Sequence, residues 1–280
     1  YYKLNDKIIN NYNMNKRNYY ILQNLTNLKN NNENIIKYIN NITNNNQIFD
    51  IYKFPNDKFY NDKDAIYLGE IKNNLKDGNG IKYFNKDDII NRKKYEGNFN
   101  NGQMKGKGIF YWNNGNKYKG DFNNGQMEGK GIIYWNDGDK YEGDWKNGLR
   151  EGKGIYYYNN GDRYVGDFEN GLKEGKGIIY YNNGDRYEGD WKKDKREGKG
   201  IMYWNDGDRY IGDWKNSFKE GKGIFFWNDG IRYEGDFKND KREGKGVMFY
   251  PDGNKEEGIW KNDELENNVN INYPNLVNVY

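Results

Sequence analysis

The chain has no cysteine and no histidine, and its only serine is Ser217. Without cysteine there are no disulfides and no thiolate metal sites, which fits a reducing compartment. Without histidine, and with a single serine, Ser-His-Asp and Cys-His catalysis and histidine metal ligation are excluded. Aliphatic residues are scarce as well. Hydrophobic residues make up 34% of the chain, and the mean hydropathy of -1.29 is very polar. No apolar run approaches the ~20 residues of a membrane-spanning helix. A large excess of one charge sign is also missing. The formal net charge is +3. Segment 1–64 holds nine Lys and Arg against six Asp and Glu, and the remainder holds 36 of each. Nucleic-acid binders usually carry a strong basic excess, so nucleic acid is not an expected partner.

What is abundant is aromatic and small: 28 Tyr, 13 Phe, 8 Trp and 36 Gly. Rings must then supply the buried area that Leu and Val usually supply. Residues 1–64 form a separate segment, rich in Asn, with runs such as "KNNNEN". Such a segment buries too little to offset chain ordering, and is expected to be largely disordered or weakly helical around Leu22–Leu28 and Ile35–Ile39. Two N-x-T triplets at Asn24 and Asn41 are what so much Asn produces by chance.

Residues 65–263 are periodic. Tyr-x-Gly opens a unit at Tyr67, Tyr95, Tyr118, Tyr141, Tyr164, Tyr187, Tyr210 and Tyr233, evenly spaced from Tyr95 onward. The first unit carries an insertion around Asn85–Lys94, and a degenerate ninth begins at Glu256. In the unit Tyr141–Arg163, "YEGDW" alternates with period two and reads as a strand. "KNGLRE" reads as a turn and "GKGIYYY" as a second strand. "NNGD" reads as an Asn-Gly hairpin turn. The fold class expected is all-β: an elongated single-layer antiparallel β-meander solenoid of 23-residue hairpins. Residues 264–280, with Val269, Ile271 and Tyr273 alternating, read as a C-terminal tail or a capping strand. A lone unit cannot bury enough to stand alone, so stacking must supply the rest.

The same periodicity removes three enzyme-like readings. "NGLREGKGI" resembles a phosphate loop, but it is one residue short, has Gly154 where Ser or Thr should stand, and recurs in every unit. The Asn136–Asp139 run lacks the twelve-residue loop and terminal Glu of a calcium site. Asp144 and Glu142 recur with each unit, whereas catalytic pairs break a repeat's symmetry. No catalytic residue, cofactor, nucleotide or metal is expected.

The pattern Y-x-G-x-[WF]-x-x-G-x-x-x-G-x-G, repeated eight times between Tyr67 and Glu264, resembles the MORN repeat, a 23-residue β-hairpin named for membrane occupation and recognition. Lys193, Ser217 and Asp240 are read as standing in for the mid-loop glycine. The resemblance implies a non-enzymatic scaffold at a cell cortex, junctional membrane, cilium, flagellum or other cytoskeletal structure. It implies a cytoplasmic location, cytoskeleton-associated or at the cytoplasmic face of a membrane, with cytoskeletal or cortical protein partners. The alternative implied is a phospholipid-binding module, or the regulatory repeats of a larger enzyme such as a phosphatidylinositol phosphate kinase.

Two surfaces follow from the alternation. In the second strand Lys153, Ile155 and Tyr157 point away from the ring columns, so Ile155, Tyr157, Ile178, Tyr180, Ile201, Tyr203, Ile224 and Phe226 form an apolar outer stripe. It is a partner surface, self-association included, unless Lys and Arg stems cover it. Lys192, Lys193, Lys195, Arg196, Lys241 and Arg242 are expected on loops along one edge, where they would meet acidic phospholipid headgroups unless Asp194, Glu197, Asp240 and Glu243 offset them.

Overall fold

The computed structural model describes residues 58–62, 65–84 and 90–268. The expected helices around Leu22 and Ile36, and Val269, Ile271 and Tyr273, lie outside those residues. The described residues belong to a unit spanning Asn56–Tyr280. They form nineteen strands, β1 to β19 in chain order, from β1 (Lys58–Asp62) and β2 (Ala65–Lys72) to β18 (Lys255–Lys261) and β19 (Glu264–Asn268). Every strand pairs antiparallel with the next in sequence, giving one elongated open meander. β1 falls at the end of the segment 1–64, which was expected to be largely disordered or weakly helical. Its "KFYND" pairs antiparallel with β2.

The turns differ from the expected assignment in one respect. In the unit from Tyr141, β8 (Lys140–Lys146) and β9 (Leu149–Tyr157) are joined by only Asn147 and Gly148. Both residues are left-handed, with φ of 50° and 80°, as a type I′ hairpin turn requires. "LRE" is therefore strand rather than turn. A bulge absorbs the extra length: Gly143 pairs with Gly154, but Asp144 pairs with Glu151. At the position of Gly148 the later units carry Asp194, Ser217 and Asp240, with φ of 65°, 72° and 71°. The glycine is thus replaced by Asp194, and Lys193 occupies the preceding place. The second Asn-Gly pair works differently. Only Gly161 of Asn160-Gly161 is left-handed, and the loop closes through Tyr158 N–H to the Asp162 carbonyl at 3.0 Å.

The core is a ladder of rings on one face. Tyr141 sits edge-on to Trp145 of its own unit at 5.3 Å and to Phe168 of the next at 5.0 Å. The same two contacts recur along the array to Tyr233 and Trp260. Each unit-opening Tyr is fully buried. Its ring lies flat across a cross-strand glycine pair, and a Cβ on Gly154 would fall 2.4 Å from the Tyr141 ring. The hydroxyl, unable to reach water, donates to the Asp144 carbonyl at 3.0 Å. The Trp145 indole N–H donates to the Gly131 carbonyl of the preceding unit at 3.1 Å. Neighbouring units are thus joined by rings and hydrogen bonds at each step, the nearest-neighbour coupling of a solenoid.

Candidate interaction faces

Because side chains alternate along a strand, the face opposite the ring ladder carries its own rows. In the row nearest the Asn-rich loops, cross-strand register alternates cations and rings: Lys140, Tyr157, Arg163, Tyr180, Arg186, Tyr203, Arg209, Phe226. Each cation lies over a ring. Lys140 is 3.9 Å from the Tyr157 centroid, Arg163 4.6 Å from Tyr180, Arg186 4.4 Å from Tyr203 and Arg209 4.4 Å from Phe226. The expected apolar stripe is therefore not bare. Ile155, Tyr157, Ile178, Tyr180, Ile201, Tyr203 and Phe226 are half-buried, since an Arg stem covers apolar surface while its head stays wet. Ile224 departs from its row: at 5% exposure it is buried beside Glu234 and Val247, so it belongs to the packed part of this face. A further row zips consecutive units with Lys–Asp pairs such as Lys153–Asp167 at 2.5 Å and Lys176–Asp190 at 2.5 Å.

The basic cluster divides in two. Lys192, Lys193, Lys195 and Lys241 are exposed at the turn edge, as expected. Arg196 and Arg242 are not on that edge. Because the turn is only two residues long, both belong to strands and face the ring ladder, half-buried. Arg196 lies 4.3 Å from the Trp214 centroid and donates to the Ser217 carbonyl at 2.7 Å. Arg242 lies 4.5 Å from Trp260 and pairs with Asp263 at 3.2 Å. Interleaved with the edge lysines are large apolar tips at the same turn position, namely Leu149, Leu172 and Phe218, at 47%, 39% and 47% exposure. Those tips are visible in "NGLRE", "NGLKE" and "NSFKE", but reading that stretch as a loop hid their common direction.

The position of Arg196 is itself a column. Arg150, Lys173, Arg196, Lys219 and Arg242 stand one unit apart on the ring face, and Met104 and Met127 fill the slot in earlier units. Arg150 lies within 6 Å of four rings, from Tyr156 at 5.1 Å to Trp135 at 5.9 Å. Lys219 also faces four rings, the nearest being Phe225 at 4.8 Å. Burial pushes the Lys173 and Lys219 ammonium groups below their ordinary range, against the pull of Asp194 and Asp240.

Units alternate at two positions. On the outer face Glu142, Val165, Glu188, Ile211 and Glu234 take turns; on the ring face Arg150, Lys173, Arg196, Lys219 and Arg242 do. In the five units from Tyr141 to Tyr233, those with Glu outside have Arg inside, a two-unit period superimposed on the one-unit repeat; the unit from Tyr95 pairs Glu96 with Met104 and falls outside it. Its signal was in the sequence, but it drops out when units are averaged into one pattern.

Among the described residues, no three His, Cys, Asp or Glu side chains are grouped to hold a metal ion, and no helix is long and apolar enough to cross a membrane. No curated protein matches the chain significantly. Among solved structures, the TCP domain of SAS-4 from Drosophila melanogaster, in complex with a proline-rich motif of Ana2, is 19% identical. The match covers 56% of this chain and 85% of that one, with a TM-score of 0.36. The TCP10 domain of CPAP from Danio rerio is 11% identical, with 74% and 91% covered and a TM-score of 0.35. Both superpositions are too loose to bear on function. The MORN repeat model matches eight consecutive stretches, residues 67–89, 95–117, 118–140, 141–163, 164–186, 187–209, 210–232 and 233–255. With about two thirds of its length in those stretches, and a ring ladder that repeats at each of them, the chain belongs to the MORN-repeat family.

Proposed function

We propose that the array is an interaction scaffold whose outer face binds a protein partner, including a second copy of itself. MORN repeats are non-catalytic scaffold units, and their architecture supports a general role in protein or membrane interaction. The observation that carries the finer reading is the outer row of rings and cations beside half-buried Ile155 and Ile178. Arginines stacked on aromatic rings, once a partner excludes water from them, are what interface hot spots are made of. A repeating row also offers the same contact about every 10 Å, at two strands of ~4.8 Å per unit. The partners implied are cytoskeletal or cortical proteins. The test is Ile155→Ser/Tyr157→Ser/Ile178→Ser/Tyr180→Ser, which avoids buried Ile224. Wild type should sediment as a dimer at tens of micromolar and the folded variant as a monomer. A monomeric wild type refutes self-association, and partner capture from native cells that survives the four changes refutes the outer face as the docking surface.

One observation favours the second reading, a phospholipid-binding edge. Leu172 and Phe218 project at the same turn edge as Lys192, Lys193, Lys195 and Lys241, combining apolar insertion with headgroup attraction of ~1 kcal/mol per charge. Pelleting with phosphatidylserine vesicles that is lost in Lys192→Glu/Lys195→Glu/Lys241→Glu, and at 1 M salt where the Debye length is ~3 Å, would establish it. Regulatory repeats of a larger enzyme remain compatible with either surface.

A further inference from the structure

The ring face carries a cation column whose pairing is uneven. Lys173 and Lys219 feel Asp194 and Asp240 of the next turn, and Arg242 pairs with Asp263. Among the described residues, Arg150 and Arg196 have no carboxylate within ion-pair distance. At the place of those aspartates stand Gly171 and Ser217, and the guanidinium groups donate to their carbonyls instead. Arg196 has one further polar side-chain contact, with the Met202 sulfur at 3.9 Å. A half-buried guanidinium that meets only neutral acceptors is undercompensated, because charge-assisted bonds to anions are roughly twice as strong as neutral ones. Two such groups recur two units apart on one face, about 20 Å along the array at ~4.8 Å per strand.

We propose that this face binds an extended acidic segment of a partner polypeptide, laid along the array, with carboxylates seated on Arg150 and Arg196. Three chemical points select that occupant. The cations lie between rings, where a flat bilayer reaches only the turn-edge lysines. The column also winds, since adjacent strands of a sheet rotate by roughly 20°; a rigid helix would leave it within two units, whereas an extended chain follows it. Finally, an extended chain in the polyproline II form rises ~3.1 Å per residue with three residues per turn, so ~10 Å per unit is one turn, ~20 Å is two, and every third side chain faces the array. The recognised pattern is therefore an acidic residue at every third position, with those six apart essential and the one between them facing Lys173. Apolar residues between the acids would lie on Trp135, Tyr158 and Trp204, which are only partly buried. The lowering that burial imposes on Lys173 and Lys219 would be offset by the same anions. This surface is opposite the one proposed above, so either can fail alone.

The experiment uses the full chain and a fluorescein-labelled peptide of five Glu-Val-Ser triplets, read by anisotropy at 50 mM NaCl. A scrambled peptide of the same composition is the register control. Expected is binding by wild type at least tenfold tighter than for the scrambled peptide, weakening steeply at 500 mM NaCl. Arg150→Met/Arg196→Met should lose at least tenfold while keeping wild-type circular dichroism, because Met104 and Met127 already fill this slot. Lys192→Glu/Lys241→Glu should bind the peptide within threefold of wild type. Equal affinity for both peptides, or full affinity in the Met variant, overturns the proposal. So does phosphatidylserine vesicle binding that depends on Arg150 and Arg196, which would assign the column to lipid. If the Met variant fails to fold, Arg150→Lys/Arg196→Lys decides instead. Retained charge without the planar fork should leave measurable register-dependent binding, and its complete loss would overturn the proposal.

Discussion

Replacing Gly154 by Ala tests the central packing argument directly. The new Cβ would lie 2.4 Å from both Cε2 and the hydroxyl oxygen of Tyr141, and Tyr141 has no room to retreat because it is fully buried. To relieve the clash the ring must lift off the sheet. It then loses its hydrogen bond to the Asp144 carbonyl, about 1 kcal/mol, and loosens edge-to-face contacts with Trp145 and Phe168, about 0.5–1.5 kcal/mol each. Overpacking strain adds about 1–3 kcal/mol where the ring stays. The two routes are alternatives and the cheaper is taken, so the expected cost is about 2–3 kcal/mol. Gly148→Ala is the control. No atom lies within 4 Å of its Cβ position, and only its φ of 80° resists the change, a cost of about 1–2 kcal/mol. Urea titrations followed by tryptophan fluorescence and circular dichroism measure both. If Gly154→Ala is no more destabilising than Gly148→Ala, glycine is required here for backbone conformation alone, and the account of rings lying on glycine is wrong. Because units couple only to neighbours, the variant should also split the transition into two, the break falling near Tyr141.

The ladder predicts a tolerance pattern at Trp145: Trp145→Phe should cost about 1 kcal/mol for the lost N–H donation, as Phe99, Phe122, Phe168 and Phe237 fill the same site, whereas Trp145→Ala should cost about 3–5 kcal/mol, both by urea denaturation. Burial raises the pKa of Tyr95, Tyr118, Tyr141, Tyr156, Tyr164 and Tyr187, and of Tyr158 to about 12. Unfolded tyrosines ionise near 10, so the stability is complete below pH ~10 and is lost as pH rises toward 12. Lys173 and Lys219, lowered by burial, act in the opposite sense but are only two; a urea midpoint that holds or rises between pH 9 and 11.5 would contradict the burial argument. Lys173→Met should leave the midpoint equal or higher, while Lys153→Met, which breaks only an exposed pair with Asp167, should change stability by less than about 1 kcal/mol. Substituting residues 164–186 with a copy of 187–209 should preserve the fold, since both units make the same ring contacts, yet weaken both the outer apolar patch and the acidic-peptide register.

The architecture was legible because it is written in punctuation. Tyr-x-Gly once per unit, with period-two alternation and Asn-Gly pairs, leaves a meander of hairpins as the one arrangement that buries all the rings on one face. The bulge was harder to see. "GLREGKG" contains two glycines where a strand needs side chains, and nothing local says that Gly152 and Lys153 are the extra residues of a bulge rather than part of a long turn. That single ambiguity moved Arg196 and Arg242 from the expected edge to the ring face, and with them the chemistry of both surfaces. The outer stripe was legible as apolar, but its covering was not. Tyr180 meets Arg163 and Tyr203 meets Arg186 through cross-strand register, which requires the length of the Asn-rich loop to be known first. Ile224 shows the remaining limit, since identical positions in a repeat need not be equally buried.

The two alternating positions say something further about what the array meets. Glu142 lies on the outer face opposite Ile155, and Arg150 lies on the ring face opposite Trp145. They share no contact, so the stability of a unit cannot tie one to the other. Copying of a two-unit block would carry the alternation to every variable position, and it does not. The ladder position reads Trp145, Phe168, Trp191, Trp214, Phe237; the turn-edge position reads Leu149, Leu172, Lys195, Phe218, Lys241; the loop position reads Asn160, Asn183, Asp206, Asp229. None of these keeps the two-unit step. What the alternating pair have in common is that neither is one of the positions that build the ring ladder or the Lys–Asp zipper, although the ring-face cations lie beside ladder rings. A shared step of about 20 Å at two such positions is the imprint expected when ligands on both faces read the array two units at a time.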